Sequence, residues 1–324
     1  MRITALSGGI GGARFLRGLL PLLGPGDQVS VIGNTADDIE LFGLTICPDL
    51  DTLMYTLGGG IDEQRGWGRA EETWHAKAEL AAYGAHPQWF GLGDRDLATH
   101  VIRTQMLRAG FSLSDVTAAL CTRWDPGVRL LPMSDDRVET HVVVASDDGS
   151  RRAIHFQEYW VRLHAEVPVL DVVVVGAAEA APAPGVLAAL ADADLVLLPP
   201  SNPVVSIGTI LAVPGIAAAI RTTPAPVVGI SPIIAGAAVS GMADQLLAGL
   251  DIEGTAAGVA LHYGARSAGG ILDGWLVHTS DAPDVERLAQ QGIRAQAVPL
   301  LMSDLPAASA MAQAALRLSG RVPA

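Results

Sequence analysis

The sequence predicts a three-layer α/β fold built on a doubly wound, mostly parallel sheet. Hydrophobic residues make up 50% of the 324 residues and charged residues only 17%, which indicates a large core. Short apolar runs at 3–6, 29–33, 194–198 and 227–230 alternate with alanine-rich segments. Continuous apolar runs are typical of parallel strands because helices cover both faces of their sheet. We therefore expect a single domain over residues 1–324.

One region interrupts this alternation and predicts a cap-like insertion at about 60–165. Helical patterns at 71–82 and 97–108 are followed by a hairpin pattern at 142–161. We expect the parallel sheet to resume with the apolar run Val169–Val175.

Net charge, cysteine content and the length of the apolar runs limit the kinds of molecule that the protein is expected to bind. A net charge of −13 argues against a nucleic-acid backbone as the main ligand. The two cysteines, Cys47 and Cys121, indicate neither a disulfide framework nor a zinc cluster. Met1 leads directly into the first strand, and Pro, Gly or Asp breaks the longest apolar runs. We therefore predict a cytoplasmic protein that binds no nucleic acid and no membrane.

The first strand ends in a glycine-rich turn that leads into a helix. Glycines let backbone N–H groups approach an anion, and the N-terminus of the helix favours negative charge. Arg14 adds a guanidinium for a charged contact. The alternative is a tight strand–helix turn that serves only packing. We interpret the turn as a phosphate-binding site formed by Gly8, Gly9, Gly11 and Gly12.

This turn is Rossmann-like but lacks the dinucleotide fingerprint. Its glycines fall as GGxGG rather than GxGxxG, and no Gly-Lys-Ser/Thr follows as in a P-loop. The second strand runs into Asn34 rather than an acidic residue. The pattern favours a phosphate ligand, with Asn34 among its contacts, over an ordinary NAD site.

Four carboxylates follow the second strand within fifteen residues: Asp37, Asp38, Asp49 and Asp51. A helix cap explains one of the later pair and surface solvation one of the earlier pair, but neither explains both clusters. The carboxyl end of a parallel strand is where open α/β sheets bind ligands. Carboxylates repel a phosphate unless Mg²⁺ lies between them. We predict catalytic roles for Asp37, Asp49 and Asp51, with Asp37 and Asp49 as Mg²⁺ ligands.

Two further segments are candidate ligand contacts. Trp67, Trp74 and Trp89 cluster in a chain with few aromatic residues, and form either a core or a stacking wall for a flat ring. Ser201 and Asn202 end a predicted strand in a proline-rich loop. That loop is either a rigid turn or a contact for a nucleobase edge, since an amide both donates and accepts.

Several separate blocks of sequence together resemble the phospholactate and phosphoenolpyruvate transferases of deazaflavin coenzyme F-420 biosynthesis. The resemblance runs from residue 3 to about 240, with LDGWLVH near the C-terminus extending it. The blocks include SGGIGGARFL at Ser7–Leu16, CPDLDTLMYTLGGGID at Cys47–Asp62, WFGLGDRDLATH at Trp89–His100 and PPSNPVVSIG at Pro199–Gly208.

The resemblance implies transfer onto a deazaflavin alcohol. The ribityl hydroxyl of 7,8-didemethyl-8-hydroxy-5-deazariboflavin would attack a phosphorus of a guanosine-diphosphate-activated enolpyruvate or lactate, and GMP would leave. The amino-acid sequence of these blocks is most similar to that of actinobacterial members of the family, which use the enolpyruvyl donor. A homodimer is also expected.

The resemblance also implies roles for the candidate residues. The glycine amides and Arg14 would hold the diphosphate, and Asp37 with Asp49 or Asp51 would hold Mg²⁺ or take the hydroxyl proton. Trp67 would cover the acceptor, while Ser201 and Asn202 would meet the guanine. The alternative, a non-catalytic nucleotide-sugar-binding regulator of the same fold, needs only the glycine turn and the Asn202 loop.

Overall fold

The computed structural model describes residues 1–146, 148–239 and 242–321. Its strands are β1 (Arg2–Ser7), β2 (Gln28–Gly33), β3 (Ile39–Leu41), β4 (Leu44–Ile46), β5 (Arg129–Pro132), β6 (Glu139–Ala145), β7 (Arg151–His155), β8 (Val169–Val175), β9 (Leu195–Leu198), β10 (Val227–Ile230), β11 (Ile233–Ile234), β12 (Ala237–Ala238), β13 (Gly274–Val277) and β14 (Arg294–Ala297). Its α-helices are α1 (Gly9–Leu19), α2 (Pro48–Leu57), α3 (His75–Ala82), α4 (Asp96–Arg108), α5 (Leu113–Trp124), α6 (Val186–Ala191), α7 (Thr209–Ala212), α8 (Ile216–Thr222), α9 (Ala243–Gly249), α10 (Ala256–Tyr263), α11 (Asp284–Gln290) and α12 (Leu305–Ser319).

The central sheet has seven strands in the order β14-β13-β10-β9-β1-β2-β5, and every neighbouring pair is parallel. The chain builds outward from β1 to β2 and β5 on one side, and through β9, β10, β13 and β14 on the other. The order therefore reverses between β1 and β9, which is the position where doubly wound sheets form their ligand crevice. The predicted doubly wound α/β fold is confirmed.

Two hydrophobic layers cover the two faces of this sheet. Along β1, Ile3 and Ala5 belong to one buried cluster and Leu6 to the other, because successive side chains point to opposite faces. Phe15 of α1 and Met311 of α12 pack in the first layer, and α6, α8 and α10 pack in the second. Both helical layers leave the carboxyl ends of the strands free to carry loops.

The run Val169–Val175 does not join the parallel sheet, so that prediction is wrong. As β8 it pairs antiparallel with β6, which also pairs with β7, in a separate three-stranded sheet. Its run of valines gave a misleading signal because one face of the strand is open. Val173 and Val175 are 43% and 49% exposed there.

The region expected as an insertion at about 60–165 contains a strand of the central sheet. Strand β5 pairs with β2, so the helices α3–α5 and the three-stranded sheet are separate additions on either side of it. The helix expected at 71–82 begins at His75. Within the described ranges, no single helix has the length and apolarity to span a membrane, and the Pro203–Ala212 and Ile216–Thr222 pair, bent by 86°, meets that test only when taken together.

Candidate functional site

The glycine turn after β1 lies directly against the loop after β9. Ser201 Oγ donates to the carbonyl oxygen of Gly8 at 2.8 Å and accepts from the Gly8 N–H at 3.2 Å. Ser201 is 4% exposed, so its hydroxyl is committed to this contact. The two loops at the point of strand reversal are therefore held together by a buried side chain.

Three of the four glycines are required by close packing. A Cβ on Gly11 would meet the Pro200 carbonyl oxygen at 2.4 Å, and one on Gly12 would meet Ser7 Oγ at 2.0 Å. A Cβ on Gly8 would lie 2.5 Å from Asp49 Oδ2. Gly9 differs, since it has a φ of +65° and nothing nearer than 3.9 Å. Close packing therefore explains why Gly8, Gly11 and Gly12 lack a side chain. It does not explain the backbone N–H groups at the start of α1.

Two backbone donors remain free at the start of α1. The Gly9 N–H donates to Asp49 Oδ1 at 2.8 Å. Among the described residues, the N–H groups of Ile10 and Gly11 have no acceptor in the loop, turn and cap hydrogen bonds, and a helix offers no internal acceptor to its first N–H groups. The first N–H groups of a helix lack internal partners and attract anions. The turn therefore presents two donors and a positive helix end at the crevice.

Asn34 holds Asp49 in place. Its amide nitrogen donates to Asp49 Oδ2 at 2.8 Å and to the Val205 carbonyl at 3.1 Å. Its amide oxygen accepts from the Ala36 N–H at 3.0 Å and the Thr209 hydroxyl at 2.8 Å. All four hydrogen-bonding positions of the amide are used within the protein. Asn34 thereby ties the end of β2 to α2 and to the start of α7.

Asp37 and Asp49 form a buried acidic pair. Asp37 is 4% exposed and Asp49 is 8% exposed. Burial, together with the Asp49 carboxylate, holds the pKa of Asp37 well above its usual value. Burial raises the pKa of Asp49 to about 6, against the hydrogen bonds from Asn34 and Gly9. Asp37 Oδ1 and the neighbouring Asp38 Oδ1 have no hydrogen-bond partner.

An unpartnered buried carboxylate oxygen needs a cation, a proton or a ligand hydroxyl. The described residues bring no three His, Cys, Asp or Glu side chains into one metal-binding group. Mg²⁺ in phosphate sites takes only one or two carboxylates, with phosphate oxygens and water completing its shell. The pair Asp37 and Asp49 fits that requirement on donor type and on the free oxygen of Asp37.

Asp51, the third predicted catalytic carboxylate, faces a different set of partners. Arg103 of α4, which is 2% exposed, forms a buried ion pair with Asp51. Although burial lowers the pKa of Arg103, the Asp51 carboxylate outweighs it and the net shift is upward. The Arg103 guanidinium also lies 3.1 Å from His100 Nδ1. Asp51 therefore anchors α2 to α4.

This buried network was only partly visible in the sequence. Asp96 accepts from the Tyr55 hydroxyl at 2.6 Å and lies 3.3 Å from His100 Nε2. The sequence analysis did not identify Arg103 as a partner for Asp51. The signal was the helical spacing, because Asp96, His100 and Arg103 fall at i, i+4 and i+7 and share one face.

The tryptophans divide into two groups. Trp67 and Trp74 lie edge to face with centroids 6.4 Å apart, and Arg65 sits 5.5 Å from each centroid. Trp67 is 46% exposed, so its ring is available to a ligand. Trp89 instead packs on Phe90 at 5.9 Å.

The loop that carries Trp67 lies over the first turn of α1. A Cβ on Gly66 would be 3.2 Å from Ile10 Cδ1 and 3.6 Å from Arg14 Nη2. Arg17, one turn beyond Arg14, is paired with Glu63 of the same loop. Trp67 and Arg14 are therefore both brought close to the free amides of the glycine turn.

Asn202 caps the segment Pro203–Gly208. Its side-chain oxygen accepts from the Val204 and Val205 N–H groups at 2.9 and 3.2 Å. The amide nitrogen remains for another contact. The side-chain oxygen of Asn202 therefore stabilises the turn, as the rigid-turn interpretation expects. The side-chain nitrogen stays a candidate donor to a ligand.

Comparison with known proteins gives one consistent result. A family model described as 2-phospho-L-lactate transferase CofD matches residues 3–312. A phosphoenolpyruvate transferase of Streptomyces avermitilis is 65% identical over 322 residues, and one of Kitasatospora aureofaciens is 64% identical over 322, each with 99% of both chains covered. A phosphoenolpyruvate transferase of Mycobacterium sp. (strain JLS) is 57% identical over 333 residues, again with 99% of both chains covered.

A solved structure shares the fold. Protein BH3568 of Bacillus halodurans aligns with a TM-score of 0.64 at 19% identity, covering 97% of this chain and 99% of that one. A second structure of that protein, described as a member of the UPF0052 family, aligns with a TM-score of 0.61 at 18% identity and 97% and 98% coverage. These likenesses support the architecture alone.

Proposed function

Because the chain belongs to the CofD family of 2-phospho-L-lactate transferases, and is a transferase of coenzyme F-420 biosynthesis, we propose the reaction that it performs. The donor is enolpyruvate or lactate activated as a guanosine diphosphate derivative. The acceptor is the terminal ribityl hydroxyl of 7,8-didemethyl-8-hydroxy-5-deazariboflavin. The name phosphoenolpyruvate transferase, carried by relatives up to 65% identical, favours the enolpyruvyl donor.

The proposed step is a phosphoryl-group displacement. The acceptor oxygen forms a bond to the phosphorus that bears the three-carbon acid, and the bond from that phosphorus to the oxygen of GMP breaks. GMP leaves with the electron pair, and the hydroxyl proton passes to a carboxylate. The product is dehydro coenzyme F-420-0 from the enolpyruvyl donor, or coenzyme F-420-0 from the lactyl donor. Such reactions depend on positioning and charge neutralisation rather than on covalent help from the protein.

The glycine turn is the proposed diphosphate site. The free N–H groups of Ile10 and Gly11 supply donors at the positive end of α1, and Arg14 adds a guanidinium one turn later. Gly8, Gly9 and Gly12 give the turn its shape. Ser201 and Asn34 hold that shape from the side of β9 and β2.

The acidic pair is the proposed reaction centre. Asp37 and Asp49 would hold Mg²⁺, which neutralises phosphate charge when bound. Asp37 is also the candidate base, because its free Oδ1 can accept the proton of an acceptor hydroxyl and its pKa is raised by burial. Asp51 supports this centre by fixing α2, through its ion pair with Arg103.

Trp67 is the proposed cover for the flat acceptor, and the Asn202 nitrogen remains a candidate donor to the nucleotide. A homodimer also stays a prediction. The non-catalytic regulator is not supported, because the matching family is one of transferases.

The observation that carries this proposal is the buried Asp37–Asp49 pair next to two free helix N–H groups. The test is an assay of the purified protein with the deazaflavin and each guanylated donor in turn, with products identified by mass spectrometry. We expect dehydro coenzyme F-420-0 and GMP, and loss of product when a chelator removes Mg²⁺. Retention of full activity with exhaustively chelated protein would overturn the metal assignment, and absence of product with both donors would overturn the reaction.

A further inference from the structure

The backbone on both sides of Asp37 is held by two donors from the three-stranded sheet. The carbonyl oxygen of Ala36 accepts the Thr140 N–H of β6 at 2.6 Å. The carbonyl oxygen of Asp38 lies 3.1 Å from His155 Nε2, at the end of β7 and 117 residues away in the sequence. These two contacts constrain the path of the chain through Asp37, and so the direction in which its side chain leaves the backbone.

The His155 ring makes its contact with Asp38 in one tautomer. Its Nδ1 accepts the Gln157 N–H at 3.1 Å, so Nδ1 carries no proton. A carbonyl oxygen only accepts, so Nε2 carries the proton and donates it to Asp38. The ring is therefore neutral, and both of its nitrogens are committed to backbone groups.

A second histidine supports the plane of this ring. His141 lies opposite His155 in the register of β6 and β7, and the two rings meet edge to face with centroids 5.7 Å apart. His141 Nε2 lies 3.0 Å from the Glu139 carboxylate, which also accepts from Arg137 Nε at 2.6 Å. Residues 137–141, at the start of β6, thus hold the His155 ring from the side away from Gln157.

Asp37 depends on this backbone for its orientation. The residue is only 4% exposed, and among the described residues no group donates to its Oδ1. The oxygen proposed to accept the proton of the acceptor hydroxyl therefore has no hydrogen bond of its own to orient it. Displacement of a reacting group by about 1 Å can slow a reaction about a hundredfold. A hydrogen bond that fixes the neighbouring carbonyl of Asp38 can therefore control the rate.

We propose that His155 is a positioning residue for the transfer reaction, and that its Nε2–H orients the Asp37 carboxylate by holding the Asp38 carbonyl oxygen. This inference rests on the proposed role of Asp37 as the base. His155 itself takes no proton from the substrate, since both ring nitrogens bond to the backbone. The three-stranded sheet, which lies outside the central sheet, thereby helps to build the reaction centre.

Two substitutions separate the two hydrogen bonds of the His155 ring. Glutamine reaches about as far as Nε2 and still donates to Asp38, whereas asparagine reaches only about as far as Nδ1 and keeps just an acceptor for Gln157. With GMP release as the measure of turnover, we expect kcat to fall at least about tenfold in His155→Asn and to stay within about threefold of wild type in His155→Gln. The KM for each substrate should change less than about twofold in both variants, because the proposed binding groups are untouched. The matched control is His164→Asn, at an exposed left-handed position that asparagine tolerates.

A second comparison asks whether His155 acts through Asp37. The loss in Asp37→Asn/His155→Asn should be no larger than in Asp37→Asn alone, because the carboxylate that His155 orients is already gone. A merely structural role would make the two losses multiply. His141→Asn removes the supporting ring, and we expect it to lower kcat about threefold in the wild-type background and not at all in Asp37→Asn. This variant gives the same comparison if denaturant unfolding shows that His155→Asn is not folded.

Three results would overturn the role of His155 and leave the proposed reaction standing. They are wild-type turnover in His155→Asn, equal losses in His155→Asn and His155→Gln, and losses that multiply with that of Asp37→Asn. Absence of product from the wild-type protein with both guanylated donors would instead overturn the reaction, and the role of His155 with it.

Discussion

The carboxylate of Asp49 accepts a hydrogen bond from the backbone N–H of Gly9 at 2.8 Å, across 40 residues of sequence. This contact joins the start of α2 to the glycine turn before α1. Because the Gly9 N–H is engaged in this way, the proposed diphosphate site relies on the next two N–H groups, those of Ile10 and Gly11. This hydrogen bond therefore places the Asp37–Asp49 pair beside the proposed diphosphate site.

Asp37→Asn is the cleanest test of the acidic pair. Asp37 Oδ1 has no hydrogen-bond partner, so an amide that places its nitrogen at this position removes charge and basicity without displacing a hydrogen bond from that atom. We expect kcat to fall at least about tenfold with the fold retained. Asp125→Asn, at an exposed left-handed position that asparagine tolerates, is the control. Near-normal turnover in Asp37→Asn would remove Asp37 from the chemistry.

The acidic pair also predicts a dependence of stability on pH. The pKa of Asp49 is about 6 in the fold against 3.8 for the ordinary carboxyl, so the folded protein binds this proton more tightly than the unfolded chain does. The stabilisation is complete below pH 3.8 and is lost as the pH rises through about 6. Relative to Asp49→Asn, which does not titrate at this position, the wild-type protein should lose about 2 kcal/mol between pH 4 and 7, from the energy equivalent of the pKa difference.

Urea unfolding of both proteins across that range, in the presence of a chelator, measures this loss. Saturating Mg²⁺ should reverse it, because a bound cation favours the ionised pair. A difference between the two proteins that stays constant from pH 4 to 7 would contradict the raised pKa.

Two alanine variants separate packing from backbone conformation in the glycine turn. Gly11→Ala places a Cβ 2.4 Å from the Pro200 carbonyl oxygen, and we expect a loss of about 1–3 kcal/mol from overpacking. Gly9→Ala meets no close atom but must adopt a φ of +65°, which costs about 1–2 kcal/mol. Gly11→Ala should also lower activity more, since it pushes apart the loops after β1 and β9. Equal effects on activity would indicate that the contact with Pro200 does not shape the site.

The elements that carry the candidate site could be predicted from the sequence better than the contacts within it could. The glycine turn after β1 and the proline-rich loop after β9 could be predicted as loops at the carboxyl ends of strands, because each follows a short apolar run. The partners of Asn34 could not be predicted, because Val205 and Thr209 reach it from 171 and 175 residues away. The placement of β8 failed for a different reason, since a run of valines does not reveal whether one face or both faces are covered.

Arg103 provides a test of the network beneath α2. Its removal in Arg103→Gln leaves the buried Asp51 carboxylate without its charge partner, and we expect a loss of about 3–5 kcal/mol in unfolding free energy. The double variant Asp51→Asn/Arg103→Gln should be more stable than Arg103→Gln, because no uncompensated charge remains. Denaturant unfolding of the two single variants and the double variant measures the coupling. Additive losses would show that the pair is not the source of the effect.

Trp67 tests the proposed acceptor wall. Its ring is 46% exposed and lies 6.4 Å from that of Trp74, so Trp67→Ala removes an exposed aromatic surface and leaves no buried cavity. We expect the KM for the deazaflavin to rise about tenfold, within the ~1–3 kcal/mol that aromatic stacking contributes per ring. The KM for the guanylated donor should stay the same, because that ligand is proposed to bind at the glycine turn and the loop after β9. Tyr83→Ala, which removes a ring that is 88% exposed at the end of α3, serves as the control. A rise in both KM values would indicate that the Trp67 loop shapes the whole crevice rather than the acceptor site alone.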